Sequence, residues 1–357
     1  MVSVALSSPS PMTKPKLWLF LAAVAVLGFP LTPVSNDYLL HVIVLIMVYM
    51  ILAMGLNILP GFCGLLDLGF VGFYGIGAYT AGLLTIHYGL NVVWVVALAA
   101  LNGALWGVLL GAPTLRLVGD YFAIVTFGFS ELVVLFIMNE IWLTRGPLGL
   151  PGIDPVNIDL AWLSTLINPE WKWYYEFVGE TPYYYLGIAL VALIYAILAR
   201  IEDSRLGRAW FALREDPLAA SCCGVNLLHS KVVAFAIAAA IGAVAGAFYA
   251  RWTLFLSPDM FKFWESFLVL CMIVLGGLGN INGALLGATV LIALGEVLRA
   301  TMPMFGLPAE TRFLVYGLIM ILIMRFKPNG FFPKIATSAL RNPLLVELKK
   351  KLKLLEA

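Results

Sequence analysis

A chain of 357 residues that is 62% hydrophobic and only 12% charged, with a mean hydropathy of +0.97, has too little polar surface to cover a soluble fold, in which about a quarter of residues are charged. This excludes a soluble enzyme, a nucleic-acid-binding domain and a disordered chain. It leaves an all-α polytopic membrane protein, because the apolar runs are continuous rather than alternating as in a barrel strand. The net charge of +2 excludes nothing by itself, but the placement of the charges orients the chain.

Residues 1–16 are polar, rich in Pro and Ser, and end at Lys14 and Lys16. The apolar run at 17–31 reads as a short first span. A signal peptide would want a clean small-x-small cleavage site after it, and none follows. Further apolar runs lie at 38–59, 65–86, 92–111, 121–142, 183–199, 232–250, 263–279, 284–301 and 312–324, which makes ten expected spans. The third and eighth are rich in glycine, so broken or re-entrant helices are expected there. With the N-terminus inside, sixteen of the 22 basic residues fall on the cytoplasmic side. The six outside are Arg145, Lys172, Arg251, Lys262, Arg299 and Arg312. The positive-inside rule selects this orientation, with both termini cytoplasmic.

The membrane-spanning region covers 17–333 and contains two sizeable loops. The external one, about 143–182, carries Asp154, Asp159, Glu170, Glu176 and Glu180 against two basic residues. Its Pro, Trp and Tyr content suits an ordered interfacial cap. The cytoplasmic one, about 200–231, reads as two short amphipathic helices. Asp216 is placed to N-cap the second, Pro217 to start it and Gly224 to end it. Leu206, Ala209, Trp210 and Leu213 form its apolar face, with Arg205, Arg208, Glu215 and Asp216 supplying charge. No spanning helix is evident to bury the Trp210/Leu213 face, so a soluble partner is expected to cover it; the alternative is an ordinary loop lying on the headgroups. The basic tail, 334–357, is read as cytoplasmic and solvated or bound to lipid headgroups.

Glycine carries further information. Gly103, Gly107 and Gly111, and again Gly279, Gly283 and Gly287, recur every fourth residue; Gly242 and Gly246 add a pair. This spacing puts small residues on one helix face and lets membrane helices approach closely. The tetrapeptide Asn102-Gly-Ala-Leu105 returns as Asn282-Gly-Ala-Leu285 in spans of opposite direction. An inverted repeat of two five-helix halves is one reading of that echo.

Ionisable groups inside apolar runs are functional candidates by default. Asp67 stands in a glycine-punctuated stretch with Gly69 and Tyr74, and Glu131 lies near the middle of the fifth run. Asp67, Gly69, Tyr74 and Glu131 are therefore the substrate-pathway candidates. The structural alternatives are a helix cap at Asp67 and an interhelical hydrogen bond at Glu131. Glu296 and Arg299 are one helical turn apart and should pair. The four cysteines read as free thiols and the three histidines are scattered, so no metal site is expected. The sequence has no G-x-x-x-x-G-K-[ST] loop, no G-x-S-x-G and no HExxH, hence no visible machinery for ATP binding or hydrolysis.

Several motifs occur together. They are Gly64-Leu-Leu-Asp-Leu-Gly69, Phe73-Tyr-Gly-Ile-Gly-Ala-Tyr79, Pro113-Thr-Leu-Arg-Leu117, Gly119-Asp-Tyr-Phe-Ala-Ile-Val-Thr126 and Gly207-Arg-Ala-Trp-Phe-Ala-Leu-Arg-Glu-Asp216. Ser257-Pro258, Val274-Leu-Gly-Gly-Leu-Gly279 and Lys327-Pro-Asn-Gly330 follow in order. In these residues the chain resembles the LivM-type permeases of bacterial branched-chain amino acid ABC importers, over about 38–333. The resemblance implies a non-enzymatic permease of the bacterial inner membrane. It implies a LivH-type second permease, two ABC ATPase subunits and an extracytoplasmic solute-binding protein as partners, and no nucleic acid. It implies no cofactor on this chain, with ATP and Mg on the ATPases. It also makes Arg205, Gly207, Arg208, Ala212, Arg214, Glu215 and Asp216 ATPase-coupling candidates, beside Trp210 and Leu213 of the apolar face. Branched-chain or other neutral amino acids are the implied solutes. Urea or short amides in a related importer, or an ion-coupled secondary transporter using Asp67 or Glu131, are the alternatives.

Overall fold

The computed structural model describes residues 30, 36–114, 120–159, 174–176, 179–302, 308, 311–327 and 330–332. Among these, twelve α-helices dominate and two short antiparallel strand pairs are added. Helix α1 (Asp37–Leu56) continues into a π-helical turn (Ile58–Cys63). Helices α2 (Phe70–Tyr88), α3 (Val92–Thr114) and α4 (Asp120–Asn139) follow. The one-turn α5 (Ile141–Thr144) leads to β1 (Leu150–Pro151), β2 (Asn157–Asp159) and β3 (Tyr174–Glu176). Then come α6 (Glu180–Asp203), α7 (Arg205–Glu215), α8 (Pro217–Cys222) and α9 (Leu227–Thr253). Last are β4 (Phe255–Leu256), α10 (Phe263–Gly276), α11 (Ile281–Thr301) and α12 (Thr311–Phe326).

The fold is all-α, and nine of the ten expected apolar runs coincide with helices in order. The first run, at 17–31, lies outside the described residues, as do 1–16 and 334–357. Six helices among the described residues are long and apolar enough to cross a membrane: Asp37–Cys63, Val92–Pro113, Tyr121–Asn139, Glu180–Asp203, Leu227–Thr253 and Ile281–Thr301. Helix α10 has 14 residues, about 21 Å at 1.5 Å per residue, and does not span about 30 Å of hydrocarbon alone. This is the eighth run, where a broken helix is expected. The third is broken as well: 64–69 is not helical and α2 starts only at Phe70.

Helix α9 is the central post, packed against α1, α2 and α3. Small residues allow this. A Cβ added to Gly103 would lie 2.4 Å from Ala243 Cβ, and one on Gly107 would lie 2.7 Å from Ala239 Cβ. Gly111 sits more loosely, 3.4 Å from Phe235 Cβ. On the other side of α9, a Cβ on Gly246 would meet the Tyr74 carbonyl at 2.1 Å, while Gly242 faces the Phe70 ring. Phe70 thus begins α2 near the midpoint of α9. In α11, Gly283 and Gly287 press on the carbonyls of Gly276 and Met272 in α10. Gly279 departs from expectation: it lies in the turn before α11 at φ +84° and does not share their helix face. The tetrapeptide echo is also inequivalent in place, since Asn102 is inside α3 whereas Asn282 is in the first turn of α11. Nothing in these positions supports an inverted repeat.

The loop at 143–182 is tied down in its described part. Strand β1 pairs with β4, Leu150 opposite Leu256, and β2 pairs with β3. Beneath them Arg251, only 1% exposed, donates from Nη1 to Thr85 Oγ1 at 2.9 Å and from Nη2 to the Pro155 carbonyl at 2.9 Å. Tyr183 Oη donates to the Arg251 carbonyl at 2.9 Å. A buried guanidinium must satisfy its donors, and here they join α2, α9 and the loop.

Candidate functional site

The amphipathic pair α7–α8 forms as its local chemistry dictates. Ser204 Oγ caps α7 by accepting from Leu206 N and Gly207 N. Asp216 Oδ1 caps α8 by accepting from Leu218 N at 2.8 Å and Ala219 N at 3.1 Å, with Pro217 at the first helical position. Gly224, at φ +84°, ends it.

The apolar face of α7 is not left for a partner, contrary to the expectation from the sequence. Trp210 is 0% exposed and Leu213 is 2% exposed. The indole Nε1 donates to the Ser230 carbonyl at 2.9 Å, and its ring stacks on Phe62 at 6.5 Å. Gly207 is buried, and a Cβ there would stand 2.4 Å from the carbonyls of Ile201 and Glu202. The reason is the π-helical turn after α1, which supplies a packing surface that no apolar count of 200–231 could show. What α7 and α8 present outward is Arg205, Arg208, Ala212, Glu215 and Asp216, with Leu218 75% exposed. Arg214 is exposed as well, and its Nη1 donates to the Gly61 carbonyl in the π-helical turn. Asn57, 1% exposed, accepts from Gly279 N at 3.0 Å in the same place.

Asp67 lies in the extended break before α2 and is 1% exposed. Its Oδ1 accepts from Gly69 N at 2.8 Å, making a local turn rather than an N-cap bond to the first helical turn. Leu68 N donates to Thr126 Oγ1 at 3.2 Å, and Gly69 is pressed so closely on the Thr126 carbonyl that no side chain fits. The break is thereby stitched to α4. Tyr74 is on the α9 side of α2, with its ring 5.6 Å from Tyr249 and 5.1 Å from Phe261. Beside this aromatic group, Tyr49 Oη donates to Glu265 Oε2 at 2.6 Å, linking α1 to α10. Sequence reasoning missed Asn57, Tyr49 and Glu265. Each was legible only as a polar residue in an apolar run, the signal that had singled out Asp67.

Glu131 is half-buried on α4 and has no hydrogen-bond or ionic partner among the described residues. It shares no hydrogen bond with Asp67. Glu296 and Arg299 do approach, at 3.8 Å, and Tyr38 Oη donates to Glu296 at 2.9 Å. The described residues hold no group of three metal-ligating side chains, and the four cysteines are unpaired.

These features define a class: a polytopic helical membrane protein of transporter type, with broken helices inside and an anchored amphipathic pair at one end. The chain belongs to the family described as branched-chain amino acid transport system / permease component, whose pattern matches residues 38–324. It is a permease subunit and not an enzyme. It is 38% identical over 324 residues to the high-affinity branched-chain amino acid transport system permease protein LivM of Escherichia coli K12, covering 88% of this chain and 75% of that one. The LivM of Salmonella typhimurium is 37% identical over 329 residues, covering 90% and 75%. The LivH permease of E. coli K12 is 25% identical over 299 residues, covering 79% and 90%. No solved structure matches the chain.

Proposed function

We propose that this permease forms, with a second, related permease, the membrane conduit of an ABC importer for branched-chain or other neutral amino acids. The match to LivM permeases over nearly the whole chain carries this reading. Relatives named LivM and LivH both align with it, as expected if two homologous permeases share the conduit. ATP and Mg are bound by two partner ATPases, and an extracytoplasmic protein delivers the solute. The outward side of α7–α8, with Leu218 projecting between charged neighbours, suits docking of an ATPase; the residues for contact are Arg205, Arg208, Ala212, Glu215 and Asp216. Trp210, Leu213 and Gly207 hold that surface in place.

The same reading gives ten spans in a bacterial inner membrane with both termini cytoplasmic, the region 17–333 forming the permease body and 334–357 a basic tail. It rests on the sixteen-to-six division of basic residues. Reporter fusions test it: one after Glu170 should report outside and one after Lys334 inside. Both on one side would overturn this topology.

Glu131 is assigned to the solute pathway with Asp67, Gly69 and Tyr74. An ionisable side chain on a half-open helix face in a bilayer needs a polar neighbour. A second permease or a hydrated path beside α4 supplies one. One turn earlier, Gly128 has open space around it, so this part of α4 is not filled by the described residues. Glu131→Gln should leave assembly intact and lower uptake about tenfold, equivalent to roughly 1.4 kcal/mol in the barrier. Wild-type uptake in both Glu131→Gln and Glu131→Leu would make the residue passive.

A further inference from the structure

We infer that Arg214 is the pin through which movement of α7 enters the membrane, because its guanidinium bonds the π-helical turn that leads into one helix break, 64–69, and stands against a second, 277–280. The inference deepens the proposed function: it rests on α7–α8 meeting an ATPase, and it names the residue that passes the motion inward.

The two breaks come from distant parts of the chain and meet at Arg214. Its Nη1 donates to the Gly61 carbonyl. A Cβ on Gly279 would lie 2.8 Å from that same Nη1 and 2.8 Å from the Gly61 oxygen. Gly279 N donates to Asn57 Oδ1 at 3.0 Å, and a Cβ on Gly61 would lie 2.6 Å from Gly279 N. Next along the first break, Gly64 lies against the backbone and stem of Arg214, where an added Cβ would be 3.2 Å from Cγ. One side chain from α7 therefore touches both breaks, while a third residue, Asn57, ties the breaks to each other.

Both breaks are built as hinges. Gly64 has φ +73°, Gly277 φ +113° and Gly279 φ +84°, conformations that glycine adopts without a Cβ penalty. The first break ends at the start of α2, near the midpoint of α9. The second separates the short α10 from α11. On its far side the segment 330–332 is laid along the end of α10, with Phe331 N donating to the Leu275 carbonyl and Phe332 N to the Gly276 carbonyl, each at 3.0 Å. Gly330, at φ +74°, sits against Gly277 there. The hinge is thus held from one side by Arg214 and from the other by Gly330 and the 331–332 segment.

The lever is rigid. Trp210 and Leu213, both buried, fix α7 to the π-helical turn, and Arg214 follows Leu213 directly. A tilt of α7 therefore moves the guanidinium with the helix. Arginine suits the task because its planar fork offers several donors in fixed directions, whereas lysine is a point charge on a flexible stem.

The test uses the whole assembly, chain and partners together, in proteoliposomes. Labelled leucine uptake and ATP hydrolysis are measured on one preparation and expressed as solute moved per ATP hydrolysed. Arg214→Met keeps the apolar stem and removes the fork. The inference predicts that this ratio falls roughly tenfold, with Arg214→Lys in between. Leu218→Ala, on the outward surface, should lower both rates together and leave the ratio unchanged. A wild-type ratio in Arg214→Met overturns the inference. Loss of the ATPases from purified Arg214→Met also overturns it, since Arg214 would then be a docking residue; the proposed function would stand. Failure of the wild-type chain to retain an ATPase would instead overturn the proposed function. If Arg214→Met does not reach the membrane, the ratio in Arg214→Lys decides alone: reduced supports the pin, unchanged refutes it.

Discussion

Trp210→Ala is expected to destabilise the permease by about 3–5 kcal/mol, the range for deleting a large buried aromatic side chain. The side chain is fully buried, stacked on Phe62 and hydrogen-bonded to the Ser230 carbonyl. Its removal leaves a cavity between α7, the π-helical turn and the start of α9. It also leaves the Ser230 carbonyl without its indole donor, and unmatched buried polar groups cost about 1–3 kcal/mol. The damage is at the base of the lever, so uptake should fall even where the variant still reaches the membrane. Leu218→Ala is the contrast: at 75% exposed it contributes little to folding. Thermal unfolding of the detergent-solubilised proteins separates them. A marked drop in the Trp210→Ala midpoint is expected, against almost none for Leu218→Ala. Equal midpoints would mean that α7 is not anchored by Trp210.

The contrast marks what the sequence could and could not disclose. Apolar runs of about 20 residues announce helices by themselves, so α1, α3, α4, α6, α9 and α11 were legible. Local chemistry was legible too. Asp216, Pro217 and Gly224 act within a few residues of one another, and Glu296 meets Arg299 one turn away. The face of α7 was visible as apolar, but periodicity carries no information about what covers it. Phe62, which does so, is far away in sequence. The same holds for Arg214 with Gly61 and for Tyr49 with Glu265, whose partners are 153 and 216 residues apart. The start of α2 was placed five residues early because Leu65, Leu66 and Leu68 continue the apolar run. Their composition hides a backbone turned by Gly64 and Asp67. Among the glycines, spacing carried no information about which helices meet, and it could not distinguish Gly279, a turn residue, from its helical neighbours.

The chain's chemistry makes a sharp expectation about the source of energy. The chain has no loop to cradle ATP phosphates, so a solute gradient must be driven from another subunit or by an ion. Asp67 is engaged locally by Gly69, and Glu131, on α4, shares no hydrogen bond with it among the described residues. The surface of α7–α8, with Arg214 bonded to the π-helical turn, is what an ATP-driven machine requires and a self-contained carrier does not. The deciding measurement is labelled leucine uptake by the assembled importer in proteoliposomes, with and without hydrolysable ATP, and with ionophores that collapse proton and sodium gradients. The account predicts uptake that requires ATP and is indifferent to the ionophores. Uptake without ATP, driven by an imposed proton or sodium gradient and abolished by Asp67→Asn or Glu131→Gln, would contradict it.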